Sequence, residues 1–313
     1  MLLKTNFKMY MCMKKYLFMI AALVMVSCTD QMMESEVVGE PAEQTPASEV
    51  TDLIEKARWG DGQAYLQLAN CYRDGKGVKQ DFLNMVCMML YADEYGGIKN
   101  IKDYMGTLPE ESEFRLVYDA LNMSYSKVDE ALEIADKLIA QNNVEGYTIK
   151  GIIISERSDK EEGKRLLEFA AERGSTLAQL CLCVPGCLKD SAPDIERLKA
   201  LADSVPIACK RLGDIYSGMI GDETWKDAQL AAYYYMKADE HAMLSKYSAK
   251  WILNYYKNGG NINLSDKDIE RFEKLASKKS ILQEILQCED EDFEINEFDN
   301  DTVEIVDTIT IDN

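Results

Sequence analysis

Ala64-Tyr-Leu-Gln-Leu68-Ala69-Asn-Cys71-Tyr72-Arg-Asp-Gly75-Lys-Gly77-Val78-Lys-Gln-Asp81 is the stretch on which the fold turns. Ala64, Leu68, Cys71 and Tyr72 fall at i, i+4, i+7 and i+8, one face of a helix. Ala69 is small where a second helix must come close. Gly75 and Gly77 supply the positive φ that ends a helix and turns the chain. Asp81 is placed to cap the next helix, whose Met85, Met88, Met89 and Ala92 again mark one stripe. The unit is therefore helix, glycine turn, helix.

The same grammar returns along the chain. Leu212-Gly213-x2-Tyr216-x-Gly218 leads to Asp227, then to Ala231, Tyr234, Tyr235 and Ala238. The step from Asp81 to Ala92 is eleven residues, and so are the steps from Asp159 to Ala170 and from Asp227 to Ala238. Trp251-Ile252-Leu253-x2-Tyr256-x2-Gly259 repeats the Tyr-x2-Gly close, and Asp268, Phe272, Leu275 and Ala276 form its second helix. Weaker helical stripes run through Phe114, Val117 and Leu121, and through Leu132, Ala135, Leu138 and Ile139. Each pair needs its neighbours to cover its apolar face, as in stacked repeat architectures.

These motifs resemble the Sel-one-like repeats of the tetratricopeptide superfamily, whose pattern is Ala-x3-Leu-Gly-x2-Tyr-x2-Gly-x-Gly-Val followed by Asp-x3-Ala. Residues 59–96 match almost completely; those around 146–174, 178–202, 208–242 and 248–276 match in part. Residues 98–143 depart from it and read as ordinary helix pairs inserted between repeats. The resemblance implies an all-α fold, a right-handed α-solenoid of about five to six antiparallel helix pairs. It further implies that the concave face binds other proteins and that the chain has no chemistry of its own. The cysteine-rich branch of that family staples each pair with a disulfide; Cys71, Cys87, Cys181, Cys183, Cys187, Cys209 and Cys288 do not recur at equivalent positions, so that framework is not expected here.

The compartment is read from the other end. Met13-Lys14-Lys15 precedes an apolar run from Tyr16 to Val26, then Ser27-Cys28. A short basic region, a brief apolar core and a small residue before Cys is the layout of a secretory signal of the lipoprotein kind. Cleavage before Cys28 and acylation of that cysteine would tether the chain in a Gram-negative envelope. The run is about half of what spans a bilayer as a helix, and Met13 is a second candidate start. We therefore divide the chain into a signal (1–27), a flexible acidic tether (28–50), the repeat body (51–288) and an acidic tail (289–313). Asp30, Glu34 and Glu36 loosely resemble the acidic stretch that sends some lipoproteins to the outer face, and the expected location is the outer membrane, periplasmic or surface-facing.

Charge sharpens this division. The formal net charge of the 313-residue chain is −20. Residues 28–50 carry six acids and residues 289–313 eleven, both without Lys or Arg, which leaves the body 31 basic and 38 acidic groups. No basic footprint for nucleic acid or anionic lipid is present. In the tail, Val303, Ile305, Ile309 and Ile311 keep period two, which suits either a solvated tail or a strand added to a partner's sheet.

Catalytic signals are poor. His241 is the single histidine and stands at a repeat end. Ser124-Tyr125-Ser126-Lys127 has Ser-x-x-Lys spacing, but no Lys-Thr-Gly accompanies it. Cys181-x-Cys183-x3-Cys187 lacks a fourth ligand at metal spacing, and the cysteines read as small buried side chains. No enzyme, cofactor or metal is expected.

Aromatics concentrate between Trp225 and Tyr256. Three consecutive Tyr on a helix sweep about 200°, so at least one of Tyr233–Tyr235, most reasonably Tyr233, must reach the surface. With the first helix of each pair lining the inner curve, the candidate partner-binding residues are Lys210, Asp214, Tyr247, Lys250 and Asn254, with Tyr233 weaker on a second helix. The expected function is a lipid-anchored repeat scaffold that binds another envelope protein or peptide; the alternative is a glycan- or peptidoglycan-associated accessory lipoprotein using an aromatic groove.

Overall fold

The computed structural model describes residues 47–277 apart from 125, 158, 185–191 and 222. Cys28, Cys187, Cys288, the signal, most of the tether and the acidic tail lie outside the described residues. Those described form fourteen α-helices and no strand. They are α1 (Ala47–Arg58), α2 (Gly62–Asp74), α3 (Phe82–Glu94), α4 (Ile101–Thr107), α5 (Glu113–Met123), α6 (Val128–Ala140) and α7 (Glu145–Arg157). There follow α8 (Lys160–Glu172), α9 (Thr176–Cys181), α10 (Ile195–Leu201), α11 (Pro206–Tyr216), α12 (Ala228–Asp239), α13 (Lys246–Lys257) and α14 (Asp266–Ala276). Helix α1 begins at Ala47, so the last residues assigned to the tether belong to the helical body. None of these helices is long and apolar enough to cross a membrane.

Consecutive helices pack on one another, α2 on α3, α7 on α8, α11 on α12 and α13 on α14. These four hairpins follow the repeat grammar. Helices α5 and α6 form the inserted pair, and α9 with α10 a shortened one. The architecture is an α-solenoid of helix pairs.

The punctuation works as its chemistry requires. Gly75 has φ 69° and its N–H donates to the Cys71 carbonyl, closing α2. Asp81 accepts from the Asn84 N–H, Asp159 from Glu162, and Asp227 from Gln229 and Leu230, each capping the second helix of its pair. Ser265 and Asp268 cap α14 reciprocally. In the α7–α8 pair the close approach runs through Gly151 and Gly163: a Cβ on Gly163 would lie 2.6 Å from the Gly151 carbonyl oxygen and 2.5 Å from Ser155.

Helix α3 is the centre of the body. Ten of its thirteen residues are buried, including Leu83, Cys87 and Tyr91 outside the methionine stripe. A helix buried on more than one side needs cover from several elements. Helix α2 supplies one side. Thr176, at the start of α9, donates to Asp81 at 2.7 Å. Cover at the other end comes from far along the chain: the Tyr91 hydroxyl donates to the Met243 carbonyl at 3.0 Å and that of Tyr95 to Leu244 at 3.3 Å. Tyr65 stacks on both of these tyrosines. The first and last hairpins are thus packed together.

A buried ion cluster fixes this seam. Asp239 and Arg271 are each 1% exposed. The Arg271 guanidinium donates to both Asp239 oxygens at 2.5 Å and to Asp268 at 2.7 Å, and Arg58 of α1 donates to Asp239 at 2.8 Å. Lys267 adds an exposed pair with Glu55 at 3.0 Å.

Candidate partner-binding surface

The six candidate residues separate into two groups once their surroundings are known. Lys210 and Asp214 lie on α11. Asp214 is completely buried. Its Oδ2 accepts from Lys210 at 2.7 Å, and its Oδ1 accepts from the Tyr235 hydroxyl at 3.1 Å. Tyr235 in turn exchanges a hydrogen bond with Ser217 at 2.9 Å. Burial first, and the Asp214 charge second, push the Tyr235 hydroxyl far above the usual phenol range, so it stays a donor. Asp214 therefore ties α11 to α12. A carboxylate with no exposure cannot meet a partner, and the Lys210 amine is committed to it. Both leave the candidate surface; the reason is that an inward-facing polar residue on this helix meets the chain's own next helix.

Tyr233, Tyr247, Lys250 and Asn254 remain. Tyr233 is 51% exposed while Tyr235 is fully buried, as a 200° sweep of three tyrosines requires. Its ring contacts are Tyr234, edge-on at 5.0 Å, and the Lys237 ammonium at 5.5 Å. The other three lie on α13. Tyr247 is 59% exposed with the Lys246 ammonium 5.0 Å from its ring centre. Lys250 is exposed and Asn254 half-buried. Spaced at i, i+3 and i+7, these three share one helix face. Ser245 caps this helix by accepting from the Ser248 N–H. Ile252 and Leu253 point into the core. Trp251 is taken up internally, edge-on to Tyr235 at 5.5 Å and stacked on Tyr255 at 5.3 Å. No line of exposed Trp and Tyr is formed along α13.

Other sequence signals fall into structural roles. The Ser124 hydroxyl donates to the Leu121 carbonyl, turning the end of α5. His241 is exposed just past α12. Cys71, Cys87, Cys181, Cys183 and Cys209 are buried. Burial raises the Cys87 thiol to about 12, which keeps it protonated and unreactive.

One feature was not anticipated from sequence. A cleft of about 180 Å³ lies where the starts of α3, α5, α7 and α9 converge, lined by Asp81, Phe82, Glu113, Phe114, Glu145 and Thr176 among others. Acids in first turns are stabilised by helix dipoles, and these acids answer to that role within their own chain. Glu145 is buried and accepts from the Ser175 hydroxyl at 2.9 Å. Burial pushes its carboxyl up to about 7, against hydrogen bonds from Ser175 and Thr148. The sequence signal was Glu145 beginning a helix two residues after Asn143, whose side chain accepts its N–H. Nothing in the sequence placed it beside Ser175.

No family model matches the chain, and no curated protein matches it. Solved structures similar to it include two repeat proteins. One is a Sel1 repeat protein from Oxalobacter formigenes, 17% identical over 74% of this chain and 98% of that one, with a TM-score of 0.38. The other is c5321, a protective antigen of uropathogenic Escherichia coli with an SLR fold, 17% identical over 84% of this chain, with a TM-score of 0.33. The chain spans 62% of the length of the second.

Proposed function

We propose that the chain is a lipid-anchored, non-enzymatic scaffold of the bacterial envelope, which binds another protein or peptide through the outward face of α13. One observation carries the binding reading: Tyr247, Lys250 and Asn254 occupy one face of a helix whose opposite side is core, with Tyr247 more exposed than any other large apolar side chain among the described residues. Half-exposed aromatics on rigid helices supply contact area at small entropic cost, which is why Tyr and Trp are enriched at interfaces. The anchor reading rests on Met13–Cys28 alone, and the outer-membrane location on the acids that follow.

Two measurements test the two halves separately. Replacing Tyr247 and Asn254 by Ala is expected to weaken partner capture from envelope extract while leaving circular dichroism unchanged. Capture that survives both changes moves the binding surface off α13. Cys28→Ala is expected to abolish lipid labelling and release the chain to the soluble periplasm; unchanged membrane fractionation contradicts the anchor.

A further inference from the structure

Helix α13 has a second property besides its exposure. Its sequence, Lys246-Tyr-Ser-Ala-Lys250-Trp-Ile-Leu-Asn254-Tyr-Tyr-Lys257, contains three lysines and no acid. Among the described helices it alone carries basic side chains without Asp or Glu, in a chain of net charge −20. Lys250 and Lys257 fall at i+3 and i+10 from Tyr247, on the same stripe as Asn254. Lys250 has no ion-pair partner among the described residues, whereas most other lysines of the body are bridged to a carboxylate. Lys257 has only an exposed contact of 3.4 Å with Glu273, a geometry of small worth. Asn254 makes no side-chain hydrogen bond among the described residues, so its amide is open to a partner's backbone.

We infer that the α13 face binds an acidic, extended peptide segment of a partner protein. Carboxylates of the segment would pair with Lys250 and Lys257, an apolar or aromatic side chain would lie on the Tyr247 ring, and the Asn254 amide would bond its backbone. The overall negative charge of the chain does not oppose this. At physiological salt the screening length is about 8 Å, so the lysines of α13 weigh most in the field that a ligand on this face senses. A charged, aromatic stripe of this kind sets partner choice and association rate more than raw affinity.

The inference rests on the reading of α13 as the binding face, and the test separates the two. The probes are a fluorescein-labelled (Glu-Asp-Phe)4 peptide, its (Gln-Asn-Phe)4 counterpart, and phosphatidylglycerol vesicles, each titrated onto the full chain by anisotropy or sedimentation. The acidic peptide is expected to bind about tenfold or more tightly than the amide peptide, and Lys250→Gln to weaken it about threefold. Raising the salt is expected to weaken the acidic probe and leave the amide probe little changed. Lys250 is exposed, so its replacement does not threaten the fold. Equal binding of the two peptides overturns the acidic specificity while Tyr247→Ala and Asn254→Ala still report on the face itself. Acidic-peptide binding that is indifferent to Lys250→Gln, or vesicles that bind as well as the peptide, also overturns it.

Discussion

Helices α3 and α13 are nearly equal in length and opposite in use. Helix α3 is apolar almost all round, ends in two acids, Asp93 and Glu94, and is enclosed by α2, by the start of α9 and by the corner before α13. Helix α13 carries lysines and no acid, and gives only one side to the core. The difference teaches where this body keeps its free surface. Helix α3, covered on several sides, has little surface left to offer a partner. The last complete hairpin keeps an outward face.

The largest effect is expected at the seam that buries α3. Asp239→Ala would leave the buried Arg271 and the half-buried Arg58 without their shared carboxylate, with only the partly exposed Asp268 and Glu55 beside them. Breaking such a pair costs about 3–5 kcal/mol. Chemical denaturation should show that loss, and hydrogen exchange should show α3 opening before α7 and α8. A loss of under about 1 kcal/mol would mean that the first and last hairpins do not rely on each other, and α3 would then resemble an ordinary repeat helix.

A pH-dependent effect is expected at the other end of α3, in the cleft shared with α7. The Glu145 carboxyl titrates near 7 in the folded chain against an ordinary 4.5. The folded state therefore holds a proton that the unfolded chain releases between those values. Stability is fully present below the ordinary value and is lost as pH rises towards 7. Glu145→Gln keeps a neutral group of the same shape and removes this slope. The variant is expected to exceed the wild type by on the order of 2–3 kcal/mol at pH 8 and to match it near pH 4.5. Parallel stability profiles across that range would contradict the burial of an ionisable Glu145.

A smaller effect is expected at the turn feeding α3. Gly75 holds φ 69°, and a Cβ there would meet nothing nearer than 3.6 Å. Gly75→Ala should cost only the left-handed backbone, about 1–2 kcal/mol. A melting curve within a degree of wild type would remove that conformation and, with it, the best-matched turn of the repeat.

The hairpins were legible because their signals are local. Asp81, Asp159 and Asp227 each stand immediately before the helix they cap, and Gly75 stops one within its own turn. The exposure of Tyr233 followed from helical geometry alone. What was not legible depends on distant partners. Asp214 looks like any polar residue of an exposed stripe until Tyr235, on the next helix, is set against it. The Arg58–Asp239–Arg271 cluster joins residues 181 and 32 apart in sequence, which no periodicity connects. The candidate surface shrank for the same reason: tertiary neighbours, not local pattern, decide which polar side chains stay free.

The binding role of α13 is tested most directly by site-specific photocrosslinking in envelope membranes. A photoreactive phenylalanine in place of Tyr247, and another in place of Lys250, should give the same partner adduct. The same probe at Glu133, exposed on α6, serves as the control. The account predicts adducts from positions 247 and 250 and none from 133. Adducts from 133 with none from 247 or 250 would contradict it.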